Sequence, residues 1–109
     1  MYEYRAKLIK IIDGDTIDAK IDLGFDVWVK KRIRFLGINA PETRTRDLQE
    51  KQEGLKVKSR LEALLDASEG VFTLKSHGVG KYGRVLGEIF INETNINDLL
   101  LEEGLVTKY

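Results

Sequence analysis

The stretch Arg34-Phe35-Leu36-Gly37-Ile38-Asn39-Ala40-Pro41-Glu42-Thr43 sets an arginine at the end of an apolar strand and, eight residues later and just past a proline, a glutamate. Ile33, Phe35 and Leu36 read as the buried end of that strand. Pro41 cannot donate to a ladder, so the strand must finish near Asn39. A rigid turn there would fix Asn39, the Ala40 carbonyl and Glu42 close together, which is how a metal-assisted site is usually built. On these residues alone an ordinary turn and a functional turn both stay open, the ordinary one being commoner.

Working upstream, residues 4–12 carry Tyr4, Ala6, Leu8, Ile9, Ile11 and Ile12, alternating at first and then continuous, which suits a strand entering a core. Asp13-Gly14-Asp15 is a turn signal, and Ile17, Ala19 and Ile21 resume the alternation, so the segment predicts a hairpin. Leu23-Gly24-Phe25-Asp26 predicts a second turn. Val27, Val29, Ile33 and Phe35 predict a third strand, with a bulge where the alternation slips at Lys30 to Arg32. The single tryptophan, Trp28, falls on the face opposite Val27 and Val29, either as a partner-facing aromatic or, more in keeping with its type, partly buried on a curled sheet.

Downstream the period changes at Asp47. Asp47 with Glu50 resembles a capping pair, and Val57, Leu61, Leu64 and Leu65 recur at helical spacing until Ser68-Glu69-Gly70. Val71 to Lys75 predicts a short strand, Ser76 to Gly83 a glycine-rich loop, and Val85 to Ile91 a last strand. A shorter helix from about Ile96 to Glu103, with Leu99 and Leu100 inward, is capped by Gly104. Three strands, a helix, two strands and a helix predict a mainly β chain with helices (α+β). The order matches a five-stranded OB-type barrel with two helices, one domain over residues 1–109.

The 109 residues suffice to bury a core without staples, and 33% charged with 42% apolar residues excludes wholesale disorder. Net charge is zero, so binding to a polyanion would need local clustering of Lys and Arg. Without cysteine there are no disulfides, thiolate metal sites or cysteine nucleophile. No apolar signal core and no membrane-length run is present, so the chain as given reads as soluble, unexported and hence cytoplasmic.

Four signals carry chemistry, each beside a plainer reading. Asp13-Gly14-Asp15-Thr16 is good turn chemistry, or else Asp15 points into the barrel mouth as an oxygen ligand for a hard cation with Asp13 nearby. Gly78-Val79-Gly80-Lys81-Tyr82-Gly83 matches a dinucleotide-binding fingerprint, but a strand follows where that site needs a helix, so it is rejected. What is left is a loop whose Lys81, Tyr82 and Arg84 suit a phosphate, or a solvated hairpin tip. His77 has no catalytic partner in view and is expected to be exposed filler. Lys30-Lys31-Arg32 is a solvated strand face from which Arg34 differs by alternating to the side opposite its strand neighbours.

Ile12-Asp13-Gly14-Asp15-Thr16, then Arg34 with Glu42 inside Pro41-Glu42-Thr43, then Lys81-Tyr82-Gly83-Arg84, together resemble the staphylococcal nuclease (thermonuclease) family. Leu101-Glu102-Glu103-Gly104-Leu105 resembles the end of that family's corresponding helix. The resemblance implies a monomeric, calcium-dependent hydrolase of DNA and RNA phosphodiesters, preferring single strands and leaving 3′-phosphates. It implies Asp15, Asn39 and the Ala40 carbonyl as calcium (Ca2+) ligands and Glu42 as the residue holding the attacking water. Arg34 and Arg84 would grip the phosphate, and Lys81 and Tyr82 would contact its 3′ neighbour. The chain departs from the family twice: Asn39 stands where aspartate is usual, and the chain stops at Tyr109 without the family's C-terminal helix. The alternative is a non-catalytic nucleic-acid- or protein-binding module of the same fold.

Overall fold

The computed structural model describes residues 2–109. In chain order the elements are β1 (Tyr2–Asp13), β2 (Thr16–Asp22), β3 (Trp28–Phe35), β4 (Ile38–Asn39), α1 (Leu48–Ala67), β5 (Val71–Val79), β6 (Val85–Ile91), β7 (Thr94–Asn95), α2 (Ile96–Glu102) and β8 (Thr107–Lys108). Strand β1 is long enough to serve two neighbours. Its first half pairs antiparallel with β5 and its second half with β2, two register shifts bending it between them and the turn. β2 pairs with β3, β5 with β6, and a short parallel ladder from Ile33–Phe35 to Val85–Gly87 closes the five strands into a mixed barrel. This is the OB-type architecture the element order predicts.

The inward residues of the alternating strands, among them Ile17, Ala19, Ile33, Phe35, Leu74 and Ile89, fill the barrel. Helix α1 caps it with Val57, Leu61 and Leu65, each fully buried and worth about 1.5–3 kcal/mol. Asp47 caps that helix by accepting from the N–H groups of Gln49 and Glu50. Glu50 does not return the bond to the cap; its carboxylate accepts the Glu42 N–H at 3.3 Å and ties the helix to the turn beyond β4. Among the described residues no helix is long and apolar enough to cross a membrane.

Several local expectations are corrected. β3 has no bulge at Lys30 to Arg32, since its register with β2 is continuous. The alternation slips there because β6 covers β3 only from Ile33 on, so Lys31 reaches solvent past a free edge although its parity is inward. Leu36 is exposed rather than buried: the strand ends at Phe35, and Gly37 turns the chain at φ +80° before β4. Trp28, by contrast, is 45% exposed and so partly buried, as expected of it on a curled sheet. β5 runs on to Val79 instead of ending at Lys75, because its ladder with β6 continues. That places His77 against Glu88 (2.6 Å), whose other oxygen accepts the Asn95 amide (2.7 Å), so the histidine is partly buried and partnered.

Buried Asn97 fastens α2 to the barrel. Its Oδ1 accepts the Ile89 N–H (3.2 Å), and its Nδ2 donates to the carbonyls of Leu36 (2.9 Å) and Gly87 (3.1 Å). Asn97→Leu keeps the volume but strands the Ile89 N–H, so urea unfolding is expected to show a loss of about 2–4 kcal/mol. On the outer face, Arg32 donates to Asp18 (2.8 Å) and holds its carboxyl below the ordinary aspartate value of 3.8. The depressed value means this contribution is present above the unfolded-state value and lost as pH falls through the folded one. Asp18→Asn is therefore expected to flatten the acid limb of a stability–pH curve.

Candidate functional site

The site begins at the β1–β2 turn. Gly14 lets that turn lie against α1, where any Cβ would overlap the Val57 side chain. Asp15 follows, only 7% exposed. Its Oδ2 accepts the Ala40 N–H (2.8 Å), its Oδ1 accepts the Thr16 hydroxyl (2.9 Å), and its carbonyl accepts the Phe35 N–H (2.8 Å). Turn and β3–β4 segment are thus locked together through one residue.

Arg34 lies on the outward face of β3 together with Lys30 and Arg32, not on a side of its own as expected, and differs from them in turning its guanidinium over the same segment. Nη1 donates to the carbonyls of Phe35 and Ile38 (both 2.9 Å), and Nη2 donates to Asn39 Oδ1 (3.3 Å). Nη1 also lies 3.5 Å from Asp15 Oδ2. These bonds leave the Nε–H and one Nη2 hydrogen for an outside acceptor. β8 pairs with β4 beside Asn39, and Tyr109 donates its N–H to Gly37 (3.1 Å) with its ring 5.5 Å from the Arg34 guanidinium carbon.

The turn after β4 is held from two sides. Asp13 Oδ1 accepts both the N–H (3.3 Å) and the hydroxyl (2.6 Å) of Thr43, so Asp13 is a clamp on the turn. From the other side, Gly54 of α1 lies so close that a Cβ would come 2.7 Å from the Pro41 carbonyl oxygen. Glu42 stands exposed between these supports. Gly54→Ala is expected to push the turn and destabilise the protein by about 1–3 kcal/mol, measured by urea unfolding. Without that packing role, alanine would stabilise the helix.

Arg84 lies just ahead of β6. The parallel register of Ile33 with Val85 sets it beside Arg32, on the same outer face as Arg34 and about one residue pair (roughly 6.6 Å) along. It lines a shallow hollow with Arg32 and Tyr82, and its buried Nε has no hydrogen-bond partner. Lys81 and Tyr82 stand exposed at the tip between β5 and β6, Tyr82 in the left-handed region at φ +62° and 94% exposed.

Asp15, Arg34, Asn39 and Ala40 therefore form one contacting group, Glu42 belongs to the same turn, and Arg84 lies just ahead of the neighbouring strand β6. Lys81 and Tyr82 reach outward from the loop. The supporting roles of Thr43, Glu50 and Gly54 escape sequence reasoning, although a lone glycine inside a helical pattern signals close packing. Among the described residues no three or more His, Cys, Asp or Glu gather as a metal cluster. The expected ligands, the Asp15 carboxylate, the Asn39 amide oxygen and the Ala40 carbonyl, are oxygens and fit a hard cation in kind, but they supply one anionic charge between them, and the Arg34 guanidinium already faces Asp15 Oδ2 (3.5 Å) and Asn39 Oδ1 (3.3 Å).

The model of the family described as staphylococcal nuclease homologue matches residues 32–109. Among curated proteins, a micrococcal nuclease of Shigella flexneri is 29% identical over 98% of this chain and 59% of its own length. An uncharacterized protein of Methanocaldococcus jannaschii is 30% identical over 97% of this chain and 59% of its own. Protein ParB of Escherichia coli is 27% identical over 98% of this chain and 58% of its own. The chain thus spans under two thirds of these relatives. A family model matched across most of the sequence, on a barrel of the expected closure, places the chain in the staphylococcal nuclease homologue family.

Proposed function

We propose that this barrel is a calcium-dependent phosphodiesterase that hydrolyses single-stranded DNA and RNA to 3′-phosphate products. The observation that carries this reading is that the β3–β6 register sets Arg84 on the same outer face as Arg34, whose guanidinium touches Asn39 Oδ1 at the turn. A phosphodiester anion is the acceptor such a pair suits, since forked guanidiniums match two phosphate oxygens at once.

Asp15, the Asn39 amide oxygen and the Ala40 carbonyl would hold the calcium ion. Bound there, the ion supplies positive charge that offsets charge growing on the phosphate in the transition state. Arg34 and Arg84 bind the phosphate oxygens and orient the phosphorus. Glu42 orients a water on the far side of the bond and takes its proton as the water attacks. The 5′ oxygen leaves and is protonated, and the phosphate stays on the 3′ oxygen. Lys81 and Tyr82 hold the next phosphate on the 3′ side.

A second reading, a binding module that grips nucleic acid without cutting it, is favoured by Asn39, which removes one of two anionic ligands. Incubation with denatured DNA, with and without calcium, separates the two. Calcium-dependent release of 3′-phosphate fragments, lost in Glu42→Gln, is expected. Tight binding without cleavage at any calcium concentration would establish the module instead.

A further inference from the structure

The outer face of β1, β2 and β3 carries an arrangement that the proposed cleavage does not use. Register sets Lys7 opposite Lys20 and Lys20 opposite Lys30, so three ammonium groups form one row across three strands. Trp28 stands on the same face, and the four side chains line one shallow hollow. Folding gains nothing from this. Like charges directly opposite one another weaken a sheet, and a half-exposed indole forgoes burial.

The nearby acids make no ion pair with the row, although Asp18 lies close enough to feel the charge of Lys30. Asp18 is committed to Arg32 (2.8 Å) and Asp22 to the Gly24 N–H (2.8 Å). Among the described residues no carboxylate pairs with Lys7, Lys20 or Lys30. Alternation also carries Trp28, Lys30, Arg32 and Arg34 along one face of β3. The indole therefore lies about 20 Å from Arg34 along an unbroken strand.

The geometry points to a single-stranded polynucleotide lying along this face, with Lys7, Lys20 and Lys30 neutralising its phosphates and Trp28 stacking on a base remote from the bond that is cut. An aromatic set among cations on an open sheet is how strands are held without base preference. The inference rests on the cleavage proposed at Arg34 and Glu42 and adds the path of the strand beyond it. The neighbouring exposed Leu23, Phe25 and Val27 at the hairpin tip define the competing occupant, an anionic membrane surface.

Trp28 is the only tryptophan, so its fluorescence reports this surface alone. Glu42→Gln protein titrated with a long oligothymidylate is expected to show saturable quenching. Replacing all three lysines by alanine should weaken binding at least about tenfold and reduce the slope of log affinity against log salt by about 2. Because like-charge contacts are removed, that variant should melt no lower than its parent. In the Glu42-containing protein the same replacements should slow cleavage of long strands and leave that of a dinucleotide substrate unchanged. Absence of quenching, or unchanged affinity and salt slope in the triple variant, overturns the proposal. So does a blue shift with phosphatidylserine vesicles and none of the oligonucleotide response. Quenching is read without cleavage, so an inactive protein that still binds through the lysine row refutes only the catalytic reading, and cleavage without quenching refutes only the track.

Discussion

Arg84→Met is expected to lower phosphodiester cleavage by about 10²–10³-fold without lowering the melting temperature. The two halves of this result have separate causes. In the free protein the Arg84 Nε is buried and finds no acceptor, a situation that costs about 1–3 kcal/mol. Methionine keeps the apolar stem against its neighbours and removes the stranded donor, so the fold should tolerate the change or gain from it. In the proposed function Arg84 grips the phosphate through its terminal nitrogens, which methionine lacks, so cleavage should collapse. Arg84→Lys should recover little, because a single ammonium cannot span two phosphate oxygens. Steady-state cleavage of denatured DNA beside a thermal melt reads both halves. A variant that melts several degrees lower while cutting normally would make Arg84 a structural residue.

Asn39→Asp should produce the second large change, in metal affinity. A full charge at about 4 Å from a divalent cation, at an effective dielectric of about 20, is worth on the order of 8 kcal/mol before hydration offsets most of it. Calcium affinity is therefore expected to rise by roughly ten- to a thousandfold. The geometry should survive, because Asn39 Oδ1 already accepts from Arg34 and an aspartate oxygen makes the same contact with added charge. Calcium titration followed by calorimetry tests this without reference to activity. The calcium-induced rise in melting temperature should grow with it, following the logarithm of metal over dissociation constant. Low-micromolar saturation of the Asn39 protein itself would show that the amide is no handicap.

The barrel was legible in the sequence because β2 alternates cleanly, the other strands are bounded by turn signals, and the helices carry their own stop signals. Ile17, Ala19 and Ile21 face inward as their spacing demands, and Asp47 and Gly70 bound α1. The misreadings share a physical origin in pairing that is remote in sequence. β5 outlasts its apolar run because β6 supplies partners as far as Val79, and this alone turns His77 toward Glu88. β4 and β8 are two-residue strands with no periodicity to detect, yet they set the Asn39 backbone. For the site, residue types gave Asp15, Arg34, Asn39 and Ala40, which do gather. The bonds that hold them, from Asp13 to Thr43 and from Glu50 to Glu42, join segments whose meeting no local pattern announces.

The parallel ladder between Ile33–Phe35 and Val85–Gly87 is three pairs long and joins segments some fifty residues apart. Such a seam closes late, because chain entropy must be spent before its few bonds form, and it is among the first regions to breathe. Arg34 and Arg84 stand on opposite banks of it. Whatever zips that seam also brings the two guanidiniums into register, so amide exchange at the seam and competence to hold an anion should rise and fall as one event.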